Sequence, residues 1–173
     1  SIEGKKIKKY KKKNEVFNII ISGTFGAKTS PMNISVDWFL KNIYPILKKK
    51  MLNFKICIVG MNSDIFLQKY NFDDTQLIAT GWVKSIKNYF KNADLAVVPL
   101  LYESGTRFKI LESALYKLPV ISTTLGAEGL PLKNNKSIFL ENDAQKFANK
   151  IITISKNKKL LNNVALKSNK IVL

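Results

Sequence analysis

Histidine is absent from this chain of 173 residues, and cysteine occurs once, at Cys57. These absences exclude a histidine base, an intrachain disulfide and the usual ligand set of a zinc site. Long apolar runs are lacking as well, because Val16–Ile21 and Leu95–Leu101 are far shorter than the roughly 20 residues that a membrane-spanning helix needs. We therefore expect a soluble, cytoplasmic domain, and 46% apolar residues at this length fit one packed core.

Acidic residues are few, 12 against 29 basic ones, which gives a formal net charge of +17. All basic residues except one are lysine, and the lysines are dense in residues 1–13 and again in 141–173. Basic ends of this kind bind nucleic acid or anionic membrane, so a basic binding module is one interpretation. A solvated lysine surface explains the same charge. The single arginine, and the lack of interleaved aromatic and basic residues, argue against nucleic acid.

Five short apolar runs, each ending at or close to a glycine, predict buried β-strands. They are Val16–Ser22, Phe54–Val59, Leu77–Thr80, Asp94–Leu101 and Val120–Thr124. Strands that are apolar on both faces and alternate with helices indicate a doubly wound, Rossmann-like α/β fold with a parallel sheet over residues 14–173. Pro45 should bend or shorten the first helix, and Asp143 is the predicted N-cap of a C-terminal helix.

The carboxyl end of the fourth predicted strand carries a candidate anion site, since ligands of doubly wound sheets bind at such ends. The loop Ser104–Thr106 leads into a helix that we expect from about Arg107 to Lys117. Free N–H groups at a helix start attract anions, and the glycine of the loop lets the backbone approach a phosphate. Arg107, the only arginine, could with Lys109 neutralise a diphosphate without a metal. Alternatively, Thr106 only caps the helix and both cations are solvated.

Glu112 lies six residues beyond Thr106 on the same predicted helix, and so about 9 Å away along its axis. That is roughly the separation between a bound diphosphate and its ribose, whose two hydroxyls a carboxylate can bind. An ion pair with Lys109, one turn back, is the alternative role.

The other loops give weaker or negative signals. Gly23 and Gly26 have G-x-x-G spacing, which permits close backbone approach, but the dinucleotide fingerprint is absent. There is also no G-x-x-x-x-G-K-[ST] loop, which argues against an ATPase or GTPase. Asp73 and Asp74 are adjacent rather than spaced as D-x-D, so we expect an exposed turn there and no metal site.

Seven stretches of the sequence, in this order, resemble one enzyme family. They are I-x-x-S-G-x-F at Ile19–Phe25, W-F-L-x-x-I-Y-P-x-L at Trp38–Leu47, I-V-G at Ile58–Gly60, G-W-V at Gly81–Val83, A-D-L-A-V-V-P-L at Ala93–Leu100, S-G-T-R-F-K-I-L-E-S-A at Ser104–Ala114 and P-V-I-S-T-T-L-G-A-E-G-L at Pro119–Leu130. Over about Asn14–Ile154, the chain resembles the C-terminal, donor-binding domain of group-1, retaining glycosyltransferases of the GT-B fold.

The resemblance implies transfer of a sugar from a UDP- or GDP-linked donor to a polysaccharide or glycolipid acceptor, with no metal and no cofactor. The implied catalytic residues are Glu103, Arg107 and Lys109. The implied donor-binding residues are Gly23, Thr24, Gly81, Val83, Ser104, Gly105, Thr106, Arg107, Lys109 and Glu112. Two positions depart from the family pattern: Glu103 is one step earlier than the first of the family's paired glutamates, and Lys28 is the only candidate for its basic pair after the first strand.

The resemblance also implies that this is half of an enzyme, because the family binds the acceptor on an N-terminal domain. Residues 1–13 are then the remnant of an interdomain linker, and the lysine-rich ends could bring the enzyme to the anionic inner face of a membrane. We expect donor binding without efficient transfer. The alternatives are a nucleotide-sugar epimerase of the same fold and the basic module for nucleic acid or anionic membrane.

Overall fold

The computed structural model describes residues 15–70, 74–102 and 107–173. The strands in these ranges are β1 (Phe17–Ser22), β2 (Phe54–Val59), β3 (Leu77–Ala79), β4 (Leu95–Val98), β5 (Val120–Ser122) and β6 (Phe139–Leu140). The helices are α1 (Pro31–Asn42), α2 (Tyr44–Lys50), α3 (Ser63–Gln68), α4 (Lys87–Asn92), α5 (Arg107–Leu115), α6 (Ala144–Ser155) and α7 (Lys158–Val172), and a 3-10 turn covers Leu125–Ala127.

The strands form one sheet in the order β3-β2-β1-β4-β5-β6, and each neighbouring pair is parallel. β1 lies in the middle, where Ile19 is opposite Ile56 of β2 and Leu95 of β4. The chain runs outward from β1 to β3 on one side and from β4 to β6 on the other. This arrangement confirms the predicted doubly wound fold. β6, at Phe139–Leu140, was not predicted because two residues are too few to form a recognisable pattern.

Helices cover both faces of the sheet, which explains why its strands are apolar on both sides. Ile19 and Ile21 of β1 belong to one core, together with the buried sides of α1, α2 and α6. Ile20, between them, belongs to a second core that includes Phe90 of α4 and Ile110 of α5. Since successive side chains of a strand point to opposite faces, β1 contributes to both cores.

The predicted first helix is divided in two. α1 ends at Asn42 and α2 begins at Tyr44. Pro45 lies in the first turn of α2, where the N–H that proline lacks would have no partner within the helix. Pro45 therefore shortens the first helix, as predicted, and the break falls just before it, at Ile43.

The C-terminal helices pack onto the sheet and onto α5. Asp143 caps α6 as predicted, because its Oδ1 accepts a hydrogen bond from the backbone N–H of Lys146 at 2.9 Å. In α7, the buried side chain of Asn169 donates from Nδ2 to the carbonyl oxygen of Ala114 in α5, at 2.9 Å. Across the described ranges, no helix combines the length and the apolar content needed to cross a bilayer.

Asp74 contradicts the prediction of an exposed turn. Its side chain is 6% exposed, accepts a hydrogen bond from the hydroxyl of Tyr44 and lies 2.7 Å from Nζ of Lys48. Burial alone would raise the pKa of Asp74, but hydrogen bonds from Lys48, Tyr44 and the N–H of Gln76 outweigh it and keep this pKa below its ordinary value. The prediction failed because Tyr44 is thirty residues away in sequence. Asp73 lies outside the described residues.

Asp37 of α1 has the same kind of surroundings. It accepts a hydrogen bond from the hydroxyl of Tyr70, and its Oδ2 lies 2.8 Å from Nζ of Lys41. Burial opposes ionisation of Asp37, yet the hydrogen bonds from Lys41 and Tyr70 lower its pKa overall. We call Asp37 and Asp74 the tyrosine-bound aspartates. Each joins α1 or α2 to the segment between α3 and β3.

Candidate functional site

The loops that follow β1 and β4 lie side by side at the carboxyl edge of the sheet, where the strand order reverses. The backbone N–H of Leu101, after β4, donates to Oγ of Ser35 in α1 at 3.3 Å. The hydroxyl of Tyr102 donates to the carbonyl oxygen of Thr29 at 3.0 Å. These bonds join the two loops around a crevice, which is where doubly wound sheets bind their ligands.

Gly23 begins the loop after β1 and is tightly enclosed. Its N–H donates to the carbonyl oxygen of Val59 at 2.9 Å, and a Cβ at this position would lie 2.4 Å from the side chain of Met32. Gly60 approaches from β2 with φ of 136°, and a Cβ there would lie 1.8 Å from the carbonyl oxygen of Gly23. At Gly60 a larger residue would require a backbone shift, whereas at Gly23 it would require the side chain of Met32 to move. Thr24, the next predicted donor contact, is exposed at the same edge.

Asn33 fixes the rest of this loop, and sequence reasoning missed it. Its Oδ1 accepts from the N–H of Gly26 at 3.0 Å, and its Nδ2 donates to the carbonyl oxygen of Gly26 at 3.3 Å. Ser30, the N-cap of α1, accepts from the N–H of Asn33. A polar residue three positions after a serine cap is the signal that could have revealed it.

Gly81 and Val83 lie after β3, at the same edge but two strands from β1. Gly81 has φ of 68°, and its N–H donates to the buried Oγ of Ser63 at 2.9 Å. Val83 packs against the second core, whereas Trp82 between them is 68% exposed. Neighbouring strands are about 4.8 Å apart, so this turn lies roughly 10 Å from the end of β1, within the span of one nucleotide.

Lys109 of α5 reaches the crevice between β1 and β4. A small pocket there is lined by Ser22, Met32, Ser35, Val97, Val98, Pro99, Leu100 and Lys109. Lys109 is half-buried, and partial loss of its hydration lowers its pKa, although the negative charge of Glu112 counteracts part of this effect. A bound anion would stabilise the charged ammonium group in place of the water that burial removes.

Arg107 has different surroundings, although it lies only two residues from Lys109. Its side chain is 57% exposed, and its Nη2 lies 3.8 Å from Oε2 of Glu128 in the loop after β5. At 3.6 residues per turn, positions two apart on a helix point in different directions. The two cations therefore flank the start of α5, with Arg107 toward β5 and Lys109 toward β1. Sequence reasoning assigned no role to Glu128.

Glu112 lies on α5, five residues after Arg107 and so about 7.5 Å further along the axis. It is half-buried, and its charge acts on Lys109, as the alternative interpretation of Glu112 requires. Its contact with a ribose stays a prediction.

The remaining predicted site residues, Glu103, Ser104, Gly105 and Thr106, lie outside the described residues, and their roles stay predictions. In the parts of the chain that the structure describes, no three side chains among histidine, cysteine, aspartate and glutamate group closely enough to bind one metal ion.

A sequence profile of the family described as "Glycosyl transferases group 1" matches residues 18–157. A curated relative, described as an uncharacterized 44.6 kDa protein in the cps region of Klebsiella pneumoniae, is 24% identical over 127 residues. The match covers 69% of this chain and 33% of the relative, so the chain spans about a third of that relative's length.

Several solved structures share the fold. The C-terminal domain of the group 1 family glycosyl transferase LpcC from Francisella tularensis has a TM-score of 0.70 at 20% identity, covering 90% of this chain and 84% of that one. TarM has a TM-score of 0.73 at 17% identity, and the match covers 94% of this chain and 33% of TarM. Anabaena HepE, solved in complex with UDP-glucose, has a TM-score of 0.69 at 16% identity, and the match covers 91% of this chain and 44% of HepE. At these identities the similarity shows the fold alone.

Proposed function

The chain belongs to the group 1 glycosyltransferase family, and on that premise we propose that it binds the nucleotide-diphosphate sugar of a transfer reaction. The donor is UDP- or GDP-linked, and the reaction uses neither a metal nor a cofactor. The acceptor is a polysaccharide or a glycolipid, and it binds to a separate N-terminal domain. By itself, the chain binds the donor and transfers its sugar inefficiently.

The observation that carries this proposal is the position of Arg107 and Lys109 on either side of the start of α5, where the strand order reverses. Lys109 is half-buried beside Ser22 and Ser35, which offer hydroxyl groups to an anion. Two cations at a helix start supply positive charge for the two phosphates of a diphosphate.

The proposed chemistry follows from the charge that develops in the reaction. As the bond to the anomeric carbon breaks, negative charge grows on the departing diphosphate. Arg107 and Lys109 stabilise that charge from fixed positions, which is the role that a metal has in other enzymes. Glu112 binds the ribose hydroxyls, and the backbone at Gly81 and Val83 contacts the base.

Two comparisons support the donor and the acceptor classes. Anabaena HepE was solved with UDP-glucose, and this chain shares its fold over 91% of its own length. The Klebsiella pneumoniae relative lies in a cps region, which fits a role in polysaccharide synthesis. The separate acceptor domain is supported by the 33% and 44% coverage of TarM and HepE.

Calorimetric titration of the chain with UDP, GDP and a random oligonucleotide, each at two salt concentrations, tests the proposal. We expect nucleotide-selective binding that Arg107→Ala and Glu112→Ala each weaken. Lys91→Ala is the control for charge loss, because Lys91 lies in the last turn of α4, which leads into the amino end of β4 at the opposite edge of the sheet. Steeply salt-dependent binding of the oligonucleotide that ignores both variants would favour the basic module instead.

A further inference from the structure

The loop after β5 touches the only arginine of the chain on two sides. Glu128 faces one edge of the guanidinium group, with 3.8 Å between its Oε2 and Nη2 of Arg107. A Cβ added to Gly129 would lie 3.7 Å from Cζ, 3.9 Å from Nε and 3.9 Å from Nη1 of Arg107. A point that is nearly equidistant from three atoms of a planar group, and nearest to the central one, lies above the plane. Gly129 therefore lies against the face of the guanidinium group.

Hydrogen bonds within this loop define its conformation. The N–H of Gly126 donates to Oγ1 of Thr123 at 3.2 Å, and the N–H of Glu128 donates to the carbonyl oxygen of Leu125 at 3.2 Å. Gly129 has φ of 79°, a conformation that favours glycine. Glu128 therefore projects from a hydrogen-bonded turn, whereas Arg107 has a long side chain with several rotatable bonds.

We propose that Glu128 is a positioning residue for Arg107, which it orients toward the diphosphate of the donor. The inference rests on the proposed function. The contact with Glu128 involves Nη2 and leaves the donors on Nε and Nη1 for a phosphate. Ordering a long side chain on binding costs entropy, and a carboxylate that restricts the guanidinium beforehand lowers this cost.

Glu128 could also act on the ligand directly, and the two modes of action predict different results. A carboxylate near a diphosphate repels it, and this repulsion does not depend on Arg107. A carboxylate that binds sugar hydroxyls would affect a nucleotide sugar and leave the nucleotide alone unaffected. Positioning through Arg107 instead affects the nucleotide itself, and only while the guanidinium is present.

A double-mutant cycle with calorimetry separates these modes, using whichever of UDP and GDP the wild-type chain binds and the sugar linked to that nucleotide. We expect Glu128→Gln to weaken binding of the nucleotide about threefold to fivefold, the scale of an exposed ion pair. In the Arg107→Ala background, Glu128→Gln should change nothing. Glu15→Gln is the matched control, because Glu15 precedes β1 at the opposite edge of the sheet. Binding of the nucleoside, which has no phosphate, should be the same in all variants.

Four results would overturn the inference. Glu128→Gln could tighten nucleotide binding in both backgrounds, which would mean that Glu128 repels the ligand. It could instead weaken binding of the nucleotide sugar alone, with or without Arg107, which would mean that Glu128 contacts the sugar. It could also have no effect in either background. These three leave the proposed function intact, whereas a wild-type chain that binds no nucleotide would remove both.

A second measurement needs no ligand. Because the chain has one arginine, its Nε–H group gives one signal in a nitrogen-edited NMR spectrum. We expect Glu128→Gln to shift this signal and to speed its exchange with water, with an unchanged melting temperature. An unchanged signal would contradict the positioning role.

Discussion

The tyrosine-bound aspartates and the two cations at the start of α5 differ in how completely the chain neutralises their charges. Asp37 and Asp74 each receive a tyrosine hydroxyl and a lysine ammonium group within 2.8 Å. Lys109 is half-buried, Glu112 is the acidic residue among those the structure describes whose charge acts on it, and Arg107 has Glu128 at 3.8 Å. Charges that stabilise this fold have their partners within the chain. The cations at the crevice are left with capacity for a ligand.

The largest effect that we expect from this difference is on Lys109. Lys109→Met should weaken nucleotide binding about tenfold to hundredfold, since hydrogen bonds to charged groups are among the strongest. The melting temperature should stay the same or rise, because the variant removes a partly dehydrated charge from the folded state. Calorimetry and thermal unfolding of the same samples check both expectations. A large loss of stability would mean that Lys109 belongs with the structural charges.

A smaller effect, on stability alone, is expected at Asp74. Asp74→Asn should lower the free energy of unfolding by about 1 to 2 kcal/mol, because Lys48 and Tyr44 lose a charged acceptor inside the fold. Urea titration gives this value, and calorimetry should give the same nucleotide affinity as for the wild type. Weaker nucleotide binding without a loss of stability would mean that Asp74 belongs with the residues that bind the ligand and not with the structural charges.

The smallest expected effect is the pH dependence of the tyrosine-bound aspartates. Both have a pKa below the ordinary 3.8 in the folded state, so their contribution to stability is present above that pH and is lost as the pH falls through the folded value. We therefore expect the stability difference between the wild type and a Tyr44→Phe, Tyr70→Phe variant to be largest near neutral pH and to shrink below about pH 4. Urea titrations of both proteins across the acid range measure it. A stability difference that grows as the pH falls would contradict the predicted direction of this pH dependence.

Local pattern predicted most of the fold. The run at Phe54–Val59 is β2 residue for residue. Four successive residues, Ile56–Val59, are apolar, as is typical of a parallel strand covered on both faces, and Lys55 is the one exposed side chain. Asp143 and Pro45 act on their own helices, so their effects were also predictable. β6 was missed because pairing with β5 defines it, and its two residues have no pattern of their own.

The candidate site was predictable only in part. Glycine after strands and one arginine at a helix start indicate an anion site, and that inference needs only neighbouring residues. Glu128 was missed because it is twenty-one residues from Arg107, and the contact arises only when α5 and the loop after β5 pack together. Asp74 was misassigned for the same reason, since its partner Tyr44 comes from α2.

The sequence by itself determined where the helices and all strands but β6 form, and which cations stand at the start of α5, because these features depend on periodicity, caps and chain order. The tertiary structure decided which charges are neutralised: it placed tyrosines on Asp37 and Asp74, buried half of Lys109 beside β1 and set Arg107 against Glu128 and Gly129. Neutralisation and dehydration depend on residues that are distant in sequence, and only the order of the strands and the packing of the helices bring those residues together.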